Sequence, residues 1–262
     1  MVINKISDIC SIMENLTTSR TILFIRAFLY QITFLLSVIV LGTLIILFFF
    51  RSVDFRLKIV KSWSSLNLWL LKVICKLDFV LEGSEHLTEQ NAIVLCKHQS
   101  TWETIALNNI IPLGRWVFKR ELLFIPFFGW ALALTSPICI NRSAGRKAAS
   151  QIVSKGTRIL QQGKWLIIFP EGTRAKPGTE KKYKIGGALL AEKSGYPVLP
   201  IAHNAGEFWP KHSFIKWPGT ITISIGPMIN TENKTAREIL SETHEWIETK
   251  TQQISEPLRL NR

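Results

Sequence analysis

The stretch Ala92-Ile93-Val94-Leu95-Cys96-Lys97-His98-Gln99-Ser100-Thr101-Trp102-Glu103 begins with five apolar residues and ends in a mostly polar string. A short unbroken apolar run reads as a strand covered on both faces, since such a strand has no solvent side to carry polar alternates. Three later runs repeat the pattern: Trp165-Leu166-Ile167-Ile168-Phe169, Val198-Leu199-Pro200-Ile201-Ala202 and Ile221-Thr222-Ile223-Ser224-Ile225. Helical spacing separates them. Residues 144–162 place Ile152, Val153, Ile159 and Leu160 at helical intervals and meet Gly163, where a helix stops. Residues 186–194 and 235–254 read as further helices, the second followed by the breaker Pro257. Strands alternating with helices predict an α/β fold, a mixed sheet flanked by helices across residues 85–262, behind a membrane-anchoring helical region at 1–84. In such sheets functional residues gather where strands end, which directs attention to the polar strings that follow the apolar runs.

Composition narrows the partners. Lysine and arginine number 32 against 19 acidic residues, a net +13 that favours nucleic acid, a membrane surface or a phosphorylated substrate. An apolar fraction of 47% and nine tryptophans suit a protein that meets lipid. Nucleic acid is not expected as a partner, because no reader motif accompanies the charge. Cys10, Cys75, Cys96 and Cys139 are far apart, with no C-x-x-C pair and no histidine at ligand spacing, so neither a disulfide framework nor a metal site is expected. Free thiols point to a reducing compartment.

Residues 27–50 carry no formal charge and lie between Arg26 and Arg51; about 20 apolar residues suffice to cross the hydrocarbon. Arg51, Arg56, Lys58, Lys61, Lys72 and Lys76 follow, against Lys5, Arg20 and Arg26 before, which by the positive-inside tendency keeps the main domain cytoplasmic. Residues 66–80 read as one amphipathic helix, lying on the membrane or packed on the core. Residues 122–134 are uncharged but too short to span, and serve as core or as a lipid-dipping surface.

Two strings carry chemistry. His98 is suited to take a proton near neutral pH, and Glu103 could hydrogen-bond the other ring nitrogen, fixing the tautomer and stabilising the imidazolium. Five residues apart on a continuous helix they would point about 140° from each other, so His98 is expected just after a strand and Glu103 in the first turn of the next helix. In Phe169-Pro170-Glu171-Gly172-Thr173-Arg174 a strand ends at proline, glycine lets backbone approach a ligand, and Arg174 can grip a phosphate bidentately. The plainer alternative is a tight turn closed by a Glu171–Arg174 salt bridge.

Together these strings resemble the glycerolipid acyltransferase family. Four of its blocks occur in order: His98 to Glu103; Lys119-Arg120-Glu121-Leu122 with Pro126 and Gly129, then Ile138-Cys139-Ile140-Asn141-Arg142; Phe169 to Arg174 with Lys184 and Gly186; and Val198-Leu199-Pro200-Ile201. The resemblance implies His98 as general base, Glu103 as its orienter, Lys119, Arg142 and Arg174 on the acceptor's phosphate, and Glu171, Gly172 and Thr173 shaping the substrate-binding turn. Most of the family has aspartate where this chain has Glu103. The implied reaction moves a fatty acyl group from a thioester of acyl carrier protein or coenzyme A to the 2-hydroxyl of a lysophosphatidate acceptor, with no cofactor, at the cytoplasmic face of a bacterial inner membrane. Competing readings are another acceptor, such as glycerol 3-phosphate, or a cationic membrane-binding scaffold without turnover.

Overall fold

The computed structural model describes residues 20–141 and 144–256. Helix α1 (Arg20–Leu47) and helix α2 (Val53–Cys75) form an antiparallel pair in front of the sheet. α1 is long and apolar enough to cross a membrane by length and composition. It begins before the uncharged stretch 27–50 and ends within it. Leu23, Ala27, Tyr30, Gly42 and Ile45 are buried against the protein, while Phe24, Phe28, Leu35, Leu36, Val40 and Leu47 stay exposed. The helix therefore presents one apolar side inward and another outward, which associates the protein with membrane.

α2 is capped by Ser52, whose hydroxyl accepts from the Phe55 N–H at 3.2 Å. Its polar residues face inward: Trp63 Nε1 and Asn67 Nδ2 donate to Ser37 Oγ of α1 at 2.9 and 3.2 Å, and Ser64 Oγ donates to the Ile105 carbonyl. The helix stops at Lys76, which takes a left-handed conformation at φ 55°. Strand β1 (Leu77–Glu82) follows at once, so residues 66–80 are the end of a helix and most of a strand rather than one surface helix. The sheet thus begins ahead of residue 85, and a division at 84/85 would cut β1 away from it.

The remaining elements are β2 (Ile93–Cys96), α3 (Trp102–Ile110), β3 (Arg115–Lys119), a 3₁₀ turn Arg120–Phe124, α4 (Phe128–Ala133), β4 (Ile138–Ile140), α5 (Arg146–Gln161), β5 (Leu166–Ile168), α6 (Gly186–Ser194), β6 (Val198–His203), the single turn α7 (Ala205–Phe208), β7 (Gly219–Ile225) and α8 (Ala236–Ile254). The described residues form a seven-stranded mixed sheet ordered β1-β7-β6-β2-β5-β3-β4, in which only β6 and β7 pair antiparallel. β2 lies at its centre. Its side chains alternate between two cores: Val94 and Cys96 pack with Leu71, Leu107 and Ile111 on the α2–α3 side, while Ile93 and Leu95 pack with Ile152, Leu190 and Ile247 on the α5–α6–α8 side. α8 begins with a reciprocal capping box between Thr235 and Glu238.

Residues 122–134 split into the 3₁₀ turn and α4, which packs on α1. A Cβ at Gly42 would come within 2.9 Å of Phe127 Cβ, while Phe124 and Trp130 remain exposed. Arg56, counted above among the flanking charges, is buried and donates to the carbonyls of Phe49, Arg51 and Leu134, tying the end of α1 to α2 and to the end of α4.

Candidate active site

β2 and β5 are parallel neighbours, and the polar strings leave their carboxyl ends side by side. Residues 97–101 turn away from β2 and α3 starts at Trp102, which puts Glu103 in the first helical turn, folded back over the preceding loop. Its Oε1 gathers three donors, each at 2.8 Å: the N–H groups of Gln99 and Ser100, and the Nδ1 of His98. A carboxylate at a helix start is favoured by the free N–H groups and the dipole there. Glu103 is fully buried, and burial works to raise its pKa, yet the His203 and His98 rings and the Ser100 N–H outweigh burial and hold it below the ordinary glutamate value.

The His98 ring is fixed on two sides. One face stacks on Phe169 at a centroid distance of 3.9 Å and 6° between planes, and its Nδ1 edge is held by Glu103. With Nδ1 occupied as a donor, Nε2 is the free base nitrogen, and the ring lines a cavity. Behind Glu103 stands His203, at the end of β6. Its Nδ1 accepts from the Ala205 N–H at 3.2 Å and its Nε2 donates to the Lys97 carbonyl at 2.8 Å. Complete burial, opposed by the neighbouring Glu103 carboxylate, lowers its pKa, and the two hydrogen bonds fix the ring as a rigid support. The motifs did not single out this residue, and its position directly after the apolar run 198–202 was the available signal.

Phe169 to Arg174 passes beside this pair. Gly172 adopts φ +69°, a conformation that L side chains rarely take, and a Cβ there would meet Lys184 Cε at 3.0 Å. Arg174 Nη1 donates to Thr101 Oγ1 at 2.9 Å, and the Ala175 N–H donates to the His98 carbonyl at 2.7 Å, so the two strings are stitched together. Glu171 does not pair with Arg174, and it is not on the cavity wall where a substrate-binding residue would stand. It is buried behind the base, accepting the His98 N–H at 3.0 Å, with Lys97 Nζ 3.8 Å away. The interior supplies its carboxylate with the His98 N–H and the nearby Lys97 ammonium as partners, while Arg174 is engaged with Thr101.

The cavity measures about 550 Å³, within the range of small-molecule sites. His98, Thr101, Lys119, Thr173, Arg174 and Lys211 border one part of it. From there it runs between α1, α2 and α4, past Phe34, Val38, Trp63 and Leu132 to Ile45 and Leu57. Gln31 and Ile45 both face it, and their separation along α1 is about 21 Å at 1.5 Å per residue. The arrangement combines a base, a cluster of cations and an apolar tunnel. Lys211, in the loop after α7, belongs to no motif and was missed from the sequence. Arg142 lies outside the described residues.

Residues 78–204 match the family model described as Acyltransferase. The chain is 41% identical over 243 residues to a 1-acyl-sn-glycerol-3-phosphate acyltransferase of Pseudomonas aeruginosa, covering 90% of this chain and 93% of that protein. A Saccharomyces cerevisiae protein of the same name is 31% identical over 176 residues, 65% of this chain and 57% of that one. The crystal structure of the Thermotoga maritima LPA acyltransferase PlsC superposes with a TM-score of 0.72 at 22% identity, over 88% of this chain and 94% of that one, and shares the fold. With a relative this similar along nearly its whole length, the chain belongs to the glycerolipid acyltransferase family, among the 1-acyl-sn-glycerol-3-phosphate acyltransferases.

Proposed function

We propose that the enzyme acylates the 2-hydroxyl of 1-acyl-sn-glycerol 3-phosphate, forming phosphatidate, with His98 Nε2 as general base. The acceptor oxygen attacks the carbonyl of an acyl thioester as His98 takes its proton. The tetrahedral intermediate then collapses, the C–S bond breaks, and the imidazolium returns the proton to the departing thiolate. Glu103 holds the ring by Nδ1 and stabilises its cationic form. Arg174, with Lys119 and Lys211 on the same wall, receives the acceptor's phosphate, and Thr173 borders it. The apolar tunnel receives a fatty acyl chain. The donor is a thioester of acyl carrier protein or coenzyme A, both anionic and suited to the +13 chain. The catalytic domain faces the cytoplasm from a bacterial inner membrane, and no cofactor is required.

Support comes chiefly from one arrangement: the free nitrogen of a clamped imidazole opens onto a space with cations at one end and apolar walls leading away. The test is the purified protein supplied with both thioester classes and a panel of lysophospholipids and glycerol 3-phosphate, with products identified by mass. Phosphatidate formed from lysophosphatidate, and absent with His98→Ala, is the expected result. Preference for another acceptor overturns the substrate assignment, and lipid binding without thioester consumption overturns the enzymatic role.

A further inference from the structure

One cluster of buried charge touches the base from behind and does not reach the cavity. Lys97, 1% exposed, places Nζ 2.5 and 2.7 Å from the two carboxylate oxygens of Glu248 on α8, and 3.8 Å from Glu171 Oε1. Tyr183 donates its hydroxyl to Glu248 Oε1 at 2.8 Å. Glu171 Oε1 in turn accepts the His98 N–H. None of these four side chains lines the tunnel. Two carboxylates share one ammonium in the interior, where a fold selected for stability alone would do as well or better with apolar residues.

We infer that Lys97 and Glu248 are positioning residues for the base: Glu248 fixes the Lys97 ammonium, which stands 3.8 Å from Glu171 and favours its anionic form on the His98 N–H. These roles follow only if His98 is the base, as proposed above. Burial pushes the Glu171 carboxyl up to about 7, Lys97 is the foremost influence opposing that rise, and Glu248 adds to it. The other titratable groups facing Glu171 are Tyr183 and Cys96, both raised chiefly by burial and therefore neutral. Near neutrality the lysine thus decides whether Glu171 is charged. Ionised, Glu171 makes the stronger bond to the His98 backbone and adds negative charge behind a ring that turns cationic during turnover.

The experiment measures kcat and acceptor KM of the full chain between about pH 6 and 9 for five proteins: wild type, Lys97→Met, Lys97→Met with Glu248→Leu, Glu171→Gln and His98→Ala. Lys97→Met is expected to lower kcat about tenfold or more at neutral pH with acceptor KM unchanged, and the deficit shrinks as pH rises, because Glu171 without its ammonium ionises later. The double variant exchanges the ion pair for apolar side chains, so it folds even where the single variant does not, and shows the same pH-dependent deficit. Glu171→Gln shows a deficit that pH does not relieve. A folded double variant or Glu171→Gln with wild-type kcat and pH profile overturns the inference. So does a double-variant loss of equal size at every pH, which marks the cluster as structural. Turnover by His98→Ala removes the base assignment and this inference together; an inactive His98→Ala beside fully active cluster variants removes the inference alone.

Discussion

Replacing Glu103 by glutamine isolates the charge behind the base from its geometry. Glutamine keeps the length of the side chain and an oxygen for the three donors that meet at Oε1, namely Gln99 N–H, Ser100 N–H and His98 Nδ1. What it removes is the anion. With Nδ1 and Oε1 at 2.8 Å the charge centres are about 4 Å apart, and at an effective dielectric of about 20 their attraction is about 4 kcal/mol once the ring is fully cationic. A transition state with the proton half transferred loses about half of that, so kcat should fall between about 30-fold and about 1000-fold. Acceptor KM should hold, because Glu103 is fully buried and does not line the cavity. The assay is initial-rate thiol release from acyl-coenzyme A at saturating lysophosphatidate, with thermal melting run alongside. A folded variant whose kcat stays within about threefold of wild type would refute the stabilising role given to this carboxylate.

Arg174→Ala should raise acceptor KM by about 10- to 100-fold, the equivalent of one or two charge-assisted contacts, while largely sparing kcat; a kcat effect at constant KM would remove it from the phosphate site. Arg174→Lys should recover only part of that affinity, since an ammonium cannot bind two oxygens in a planar fork. Ile45→Trp fills the far end of the tunnel and should shift products toward shorter acyl chains in a mixed-thioester competition read by mass; an unchanged chain-length profile places the acyl group elsewhere. Glu171→Gln should alter stability with a defined sign. The folded carboxyl titrates near 7 against an ordinary value of 4.5, so the native state holds this proton more tightly and the buried anion costs up to about 3 kcal/mol above pH 7, a cost absent below about pH 4.5. The variant should therefore gain on wild type as pH rises through that interval in denaturant melts, and a constant difference would show that the carboxyl titrates normally.

The central strands were legible because burial on both faces leaves unbroken apolar runs: β2, β5, β6 and β7 all lie where such runs occur. α5 was legible from its periodicity and from the glycine that follows it, and α6 was read as a helix over the same residues it occupies. β1 escaped because α2 ends on Lys76 in a left-handed conformation that normally signals glycine, leaving no punctuation between helix and strand. β3 and β4 lie toward one edge; β3 is bracketed by Arg115 and Lys119, and β4 is only three residues long, so neither gave a run to find. At the site, the placing of His98 after a strand and Glu103 in the next helical turn followed from angular geometry alone and matches the backbone. The inward turn of Glu171, the support from His203 and the approach of Lys211 were hidden, since each depends on contacts between segments separated by tens of residues.

α1 is at once the outward apolar surface of the protein and a wall of its tunnel, with Phe34, Val38 and Ile45 on the inner side and Phe28, Leu36 and Val40 on the outer. Removing the helix to obtain a water-loving catalytic fragment would therefore also unroof the space beside the base. A tilt of this one helix would move both surfaces together, so the shape of the cavity is tied to whatever surrounds the outer face.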